Sequence, residues 1–171
     1  MEIGLGLGGE LGLSLPDQAI LAKEAAILGY TSIWTNEGTG LDAFHVCAQR
    51  WAATKEVVEG GLVTGISVSP VMYRTPVGFA MSGGTLSALT GGRFILGLGT
   101  GGVYRQRSRQ ALGFPNASSL GVMRDYLTTM KALLAGTRVD YQGPAITLHG
   151  ATLGITPPPC TPVYLAAMGP Q

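Results

Sequence analysis

The chain has 171 residues, of which 46% are hydrophobic and 12% charged, with a formal net charge of +1. That length supports one domain with a substantial core and is too short for two ordinary ones. The near-neutral balance excludes a nucleic-acid partner held by bulk electrostatics. With no apolar run near the roughly 20 residues of a membrane span and no basic-then-apolar leader, a soluble, cytoplasmic protein is expected.

Strand and helix patterns alternate along the chain. Ile3 to Gly8 reads as a first strand. Ser14 is placed to cap a helix opened by Leu15-Pro16-Asp17 and closed at Leu28-Gly29, with proline inside the start and glycine past the end. Thr31 to Asn36 is a second strand and Leu41 to Thr54 a second helix. Gly61 to Ser69 is a third strand, and Arg74-Thr75-Pro76 starts a helix reaching Leu89. Arg93 to Gly99 is a fourth strand, followed by a polar run, Tyr104 to Arg109, with no amphipathic pattern.

The best helical periodicity comes next. Met123, Tyr126, Leu127, Met130, Leu133 and Leu134 share one face, and Gly136 is the stop. Val139 to Leu153 reads as a hairpin excursion around the turn residues Tyr141-Gln142-Gly143-Pro144. Pro157-Pro158-Pro159 is a stiff link into a last strand, Val163 to Ala167. Apolar strands separated by helices predict an α/β fold with a parallel sheet of right-handed crossovers. An open doubly wound sheet fits five strands, whereas a barrel needs eight and about 250 residues.

Two segments match the dinucleotide pattern G-x-G-x-x-G, beginning at Gly4 and at Gly97. Neither leads straight into a helix carrying the third glycine, so an NAD-binding Rossmann enzyme is a minor alternative. Cys47 and Cys160 have no metal-type spacing, and no metal site is expected. No triad order, H-E-x-x-H or P-loop lysine is present. The Gly91 to Gly102 run is the most informative: a strand ends in small residues that leave main-chain N–H groups uncovered for a phosphate or a planar cofactor. Arg105, Arg107 and Arg109 follow it, either as a solvated loop or as partners for an acidic cofactor tail.

Gly29-Tyr30-Thr31-Ser32-Ile33-Trp34 with Asn36-Glu37, Val63-Thr64-Gly65-Ile66 with Arg74-Thr75-Pro76, Gly91 to Gly101, and Pro162 to Pro170 occur in an order that resembles the luciferase-like monooxygenase superfamily. The resemblance covers essentially the whole chain. It implies a (β/α)₈ TIM barrel of the luciferase-like type, of which this chain carries only about the first five strands. The length therefore suggests a C-terminally truncated single domain over residues 1–171, completed by a partner chain or a homo-oligomer. Gly-Leu-Gly-Thr-Gly and Ala-Ala-x-Gly-Pro are most similar to the subgroup that uses the deazaflavin coenzyme F-420, which includes methylenetetrahydromethanopterin reductase. FMN is the alternative cofactor.

On that resemblance Gly99, Thr100, Gly101 and Gly102 hold the phosphate end of the cofactor. Gly65, Ile66 and Ser67 back its ring, where relatives often carry a non-prolyl cis peptide. Ala166, Ala167, Met168 and Gly169 line the other flank. Asn36 and Glu37 stand where relatives commonly have Asp-His, and Gly102 stands where they often have an acid. Glu37, the only carboxylate near a strand end, is the candidate for proton handling, or for a hydrogen bond to the cofactor ring. The implied activity is hydride transfer between coenzyme F-420 and a small organic substrate. An FMN-dependent monooxygenase and a non-catalytic cofactor-binding half-barrel are the alternatives.

Overall fold

The computed structural model describes residues 2–156 and 161–167. The elements in order are β1 (Gly4–Gly6), α1 (Leu15–Ile27), β2 (Ser32–Thr35), α2 (Ala43–Thr54), β3 (Val63–Pro70), α3 (Pro76–Leu89), β4 (Phe94–Gly99), α4 (Gln106–Leu112), α5 (Ser119–Leu134), β5 (Val139–Gln142), β6 (Thr147–Ala151) and β7 (Val163–Leu165). Short 3-10 turns follow β1, β3 and β4. The expected proline link and Cys160 lie outside the described residues.

Caps set the helix starts. Ser14 Oγ accepts from Asp17 N, Asp42 Oδ1 from Phe44 N and His45 N, Thr75 Oγ1 from Gly78 N, and Ser118 Oγ from Gly121 N. Each cap satisfies an amide that the first helical turn leaves orphaned. Asp42 moves the start of α2 past the expected Leu41, and Ser118 starts α5 a turn before Met123. The polar run after β4, expected to be irregular, contains the seven-residue helix α4. It buries no residue, so no apolar stripe announced it, and Gly113 at φ 70° ends it.

Five strands form one parallel sheet in the order β1-β2-β3-β4-β7. Each strand lies beside its predecessor, with the antiparallel β5–β6 hairpin set apart. A sequential order with crossovers of one hand places the helices on a single face. It has no reversal of strand order, the feature a dinucleotide-binding Rossmann sheet requires. The Rossmann alternative is thereby corrected.

The helix-side face carries Ile33, Thr64, Ile66, Phe94, Leu96 and Leu98, all buried. Rings pack over it, with Phe44 5.8 Å from Phe94 and 6.2 Å from Phe79, and Phe79 6.3 Å from Tyr126. Met130 and Leu133 on α5 are fully buried, each contributing about 2 kcal/mol in apolar burial.

The opposite face carries Trp34, Gly65, Gly97 and Tyr164. β2 and β7 are three strand spacings apart, roughly 14 Å in a flat sheet. The Trp34 ring leans over Gly65 on β3, and it lies 6.4 Å from the Tyr164 ring across this face.

Candidate cofactor site

The carboxyl ends of β3, β4 and β7 converge on one shelf. β3 pairs with β4 through Ile66–Leu96 and again through Ser69–Leu98, so Ser67 and Val68 bulge opposite Gly97 alone. The Ser67–Val68 peptide is cis. A Cβ at Gly97 would lie 2.0 Å from the Ile66 carbonyl oxygen, so only glycine fits against the bulge. A Cβ at Gly99 would lie 2.6 Å from Val68 Cγ2 and 3.6 Å from Ala166 Cβ. Ala166 N donates to Leu98 O at 2.9 Å, which ties the end of β7 to β4.

The bulge is clamped from the loop after β2. Glu37 N donates to Val68 O at 3.2 Å, and Ser69 Oγ donates to Glu37 Oε2. Arg74 pairs with the same carboxylate through both nitrogens, Nη1 to Oε2 and Nη2 to Oε1, each at 2.7 Å. Ala43 N adds a 3.2 Å bond to Oε1. Arg74 Nη2 also reaches Asp42 Oδ2, and its guanidinium carbon stands 4.7 Å from the Phe44 ring centroid and 5.5 Å from that of Phe79. The Glu37 side chain is only 3% exposed.

Burial disfavours the charge on Arg74, but its bonds and attraction to Glu37 and Asp42 outweigh this and hold it above its ordinary value. Burial likewise raises Asp42, and the bonds from His45 and Arg74 more than reverse it, leaving that carboxyl below its usual range. Burial pushes the Cys47 thiol up to about 12, so it is not a nucleophile near neutral pH.

Beside this network lies a cavity of about 560 Å³, with Glu37, Asp42 and Arg74 on one side and Tyr73, Leu112 and Phe114 on another. The Tyr73 and Phe114 rings are 6.1 Å apart. Charged groups in a partly aromatic cavity of that size suit a small organic ligand.

The residues expected at the site are not all equivalent. Ser67, Gly99, Thr100, Gly101 and Ala166 come together at the strand ends. Thr100 is half-buried and makes no capping hydrogen bond, and Gly101, at φ 56°, packs against Pro70. Gly102 is exposed beside Ser108, and Ala167 is exposed beyond β7. Gly65 lies beneath Trp34, whose ring would be 2.3 Å from a Cβ there, so it seats that indole and does not face the shelf directly. Ile66 turns its side chain into the helix-side core at 0% exposure and offers only backbone.

Asn36 is turned away, accepting from Gly9 N at 3.2 Å and donating to Glu10 Oε2 at 3.5 Å. Glu37, expected to handle protons or to bond the cofactor ring, has both oxygens occupied by donors. Met168 and Gly169 lie outside the described residues. Sequence reading passed over Gly97, Ser69, Asp42 and the clamp role of Arg74. The glycine was legible as part of a run, but pairings across more than thirty positions leave no local signal.

Among the described residues no group of three or more His, Cys, Asp or Glu could hold a metal ion, and no helix is long and apolar enough to cross a membrane. The fold and shelf define a class: a parallel α/β sheet with a ledge of small residues at its strand ends. The model of the luciferase-like monooxygenase family matches residues 3–171, and the chain belongs to that family.

A relative named F-420-dependent glucose-6-phosphate dehydrogenase, from Intrasporangium calvum, is 34% identical over 72% of this chain and 38% of its own. A putative coenzyme F-420-dependent oxidoreductase from Mycobacterium tuberculosis is 33% identical over 100% of this chain and 52% of its own. The chain thus spans about half or less of these relatives. The structure of coenzyme F-420-dependent tetrahydromethanopterin reductase from Methanopyrus kandleri superposes with a TM-score of 0.80 at 20% identity, covering 99% of this chain and 51% of that one. A riboflavin lyase structure with modified FMN gives 0.84 at 16%, covering 99% and 51%. Both likenesses concern the fold.

Proposed function

We propose that this chain forms the cofactor-facing part of an oxidoreductase that moves hydride between coenzyme F-420 and a small organic substrate. The observation that carries this reading is the shelf at the ends of β3 and β7, where Ser67 and Ala166 stand exposed beside the buried Gly97 and Gly99. Small side chains there leave room for a planar ring to lie against the shelf. The F-420-dependent names of the relatives matched here favour the deazaflavin over FMN.

When bound, the deazaflavin supplies the carbon that accepts or gives up hydride. The chain's own residues bind and orient. Ser67 and Val68 back the ring from β3, and Ala166 and Ala167 flank it. Thr100, Gly101 and Gly102 take the phosphate end. The cavity beside Tyr73 and Phe114 receives the substrate. Glu37 acts as a positioning residue: its carboxylate holds Ser69 and Arg74, and its N–H holds the Val68 carbonyl. The bulge is thus fixed before any ligand arrives.

The test is a fluorescence titration of the chain with coenzyme F-420, FMN and NADPH. Saturable binding of F-420 with FMN weaker is the expected result. Preference for FMN would move the chain to a flavin monooxygenase reading, and preference for NADPH would overturn the proposal.

A further inference from the structure

A second cavity, of about 270 Å³, lies behind the loop that walls the first: Gly38, Gly40 and Leu41 line both. Arg50 on α2 is part of its wall and is only 2% exposed. Its guanidinium donates to Trp34 O at 3.2 Å, to Leu7 O at 2.9 Å and to Gln18 Oε1 at 2.7 Å. All three acceptors are neutral. Nε is buried and has no hydrogen-bond partner, and no ion pair among the described residues includes Arg50. Burial holds this guanidinium below its ordinary value, yet an arginine stays charged in a protein. A buried cation without a counter-charge is costly, and here it borders empty space.

The chemistry of the wall narrows the ligand. Among the described residues Gln18 is the one side-chain acceptor on Arg50, and it lines the same cavity, so an entering anion can take its place. Replacing a neutral amide oxygen with a carboxylate oxygen makes the bond charge-assisted and roughly twice as strong. Asn36 and Thr35 add amide and hydroxyl groups. Glu10, exposed and bonded to Asn36, is the other charged residue on the wall among the described residues. One cation and one acid leave no net charge for a dianion. They suit a single carboxylate on Arg50, with a cationic or neutral group toward Glu10.

We propose that this cavity is a binding site for a small molecule bearing one carboxylate, seated on Arg50 by displacing Gln18. The site does not depend on the cofactor reading.

The test follows the Arg50 Nε–H resonance in ¹H–¹⁵N spectra of the 171-residue chain titrated at constant ionic strength with sodium acetate, glycine or inorganic phosphate. A saturable shift with acetate or glycine, larger than with phosphate, is expected. Gln18→Glu places a carboxylate on Arg50 internally and is expected to abolish the shift. Glu10→Gln, at an exposed position, is expected to let phosphate produce one. No response from Arg50, an equal response to phosphate in the unsubstituted chain, or an undiminished shift in a folded Gln18→Glu variant would overturn the proposal.

Discussion

At the scale of single residues, two glycines and one carboxylate carry most of the site. A methyl group at position 97 meets the Ile66 carbonyl oxygen at 2.0 Å, and backbone cannot move aside cheaply. Gly97→Ala is expected to cost about 3 kcal/mol in urea denaturation. Gly6→Ala, where nothing lies within 4 Å, should change stability by no more than about 0.5 kcal/mol. Equal costs at the two positions would contradict the account. Glu37→Gln leaves the half-buried Arg74 with only Asp42 as a charged partner, and a loss of about 3 kcal/mol is expected.

Asp42 gives the pH dependence. Its folded pKa is depressed below the ordinary 3.8, so its stabilisation is fully present above that value and is lost as pH falls through the folded pKa. The stability difference between the unsubstituted chain and Asp42→Asn should therefore shrink as pH falls below about pH 4. A difference that grows between about pH 4 and pH 2 would contradict the sign.

At the scale of elements, the β5–β6 hairpin shows how a buried carboxylate attaches a peripheral piece. Asp125 on α5 is 0% exposed and accepts from Tyr141 Oη at 2.8 Å, Ala145 N at 2.7 Å and Ile146 N at 3.0 Å. Bonds to a charged acceptor are each worth about 1.5–3 kcal/mol. Asp125→Ala should remove amide-exchange protection from Val139–Gln142 and Thr147–Ala151 while the parallel sheet keeps its own. Uniform loss across the chain would instead make the hairpin part of the cooperative core.

This hairpin was legible in the sequence, because Gly143-Pro144 between two β-rich runs is local turn chemistry. The helix starts at Ser14 and Thr75 were legible for the same reason. The cis peptide after Ser67 was expected from the family resemblance, whereas the bulge around it depends on what β4 presents opposite. Helix α4 was hidden because it buries nothing. The Glu37 clamp was half visible: its strand-end position could be read, but its partners at 69 and 74 are brought to it only by the β2–β3 register.

At the scale of the molecule, strand order links these parts. Sequential parallel strands with helices on one side leave the other face open, and Trp34 and Tyr164 lean together across it at 6.4 Å. Adjacency in the sheet brings the ends of β3, β4 and β7 onto one ledge, while the loop after β2 braces it from beside. Residues distant in the sequence thereby act as one surface. The general position of that surface could be read from the Gly91 to Gly102 run, but the neighbours that complete it required the topology.

The most direct measurement is a crystal structure of the chain grown with coenzyme F-420. The account requires the deazaflavin ring against Ser67, Val68 and Ala166, with the phosphate end toward Thr100 and Gly101. A ring bound elsewhere, or a ledge that stays empty at saturating cofactor, would contradict it.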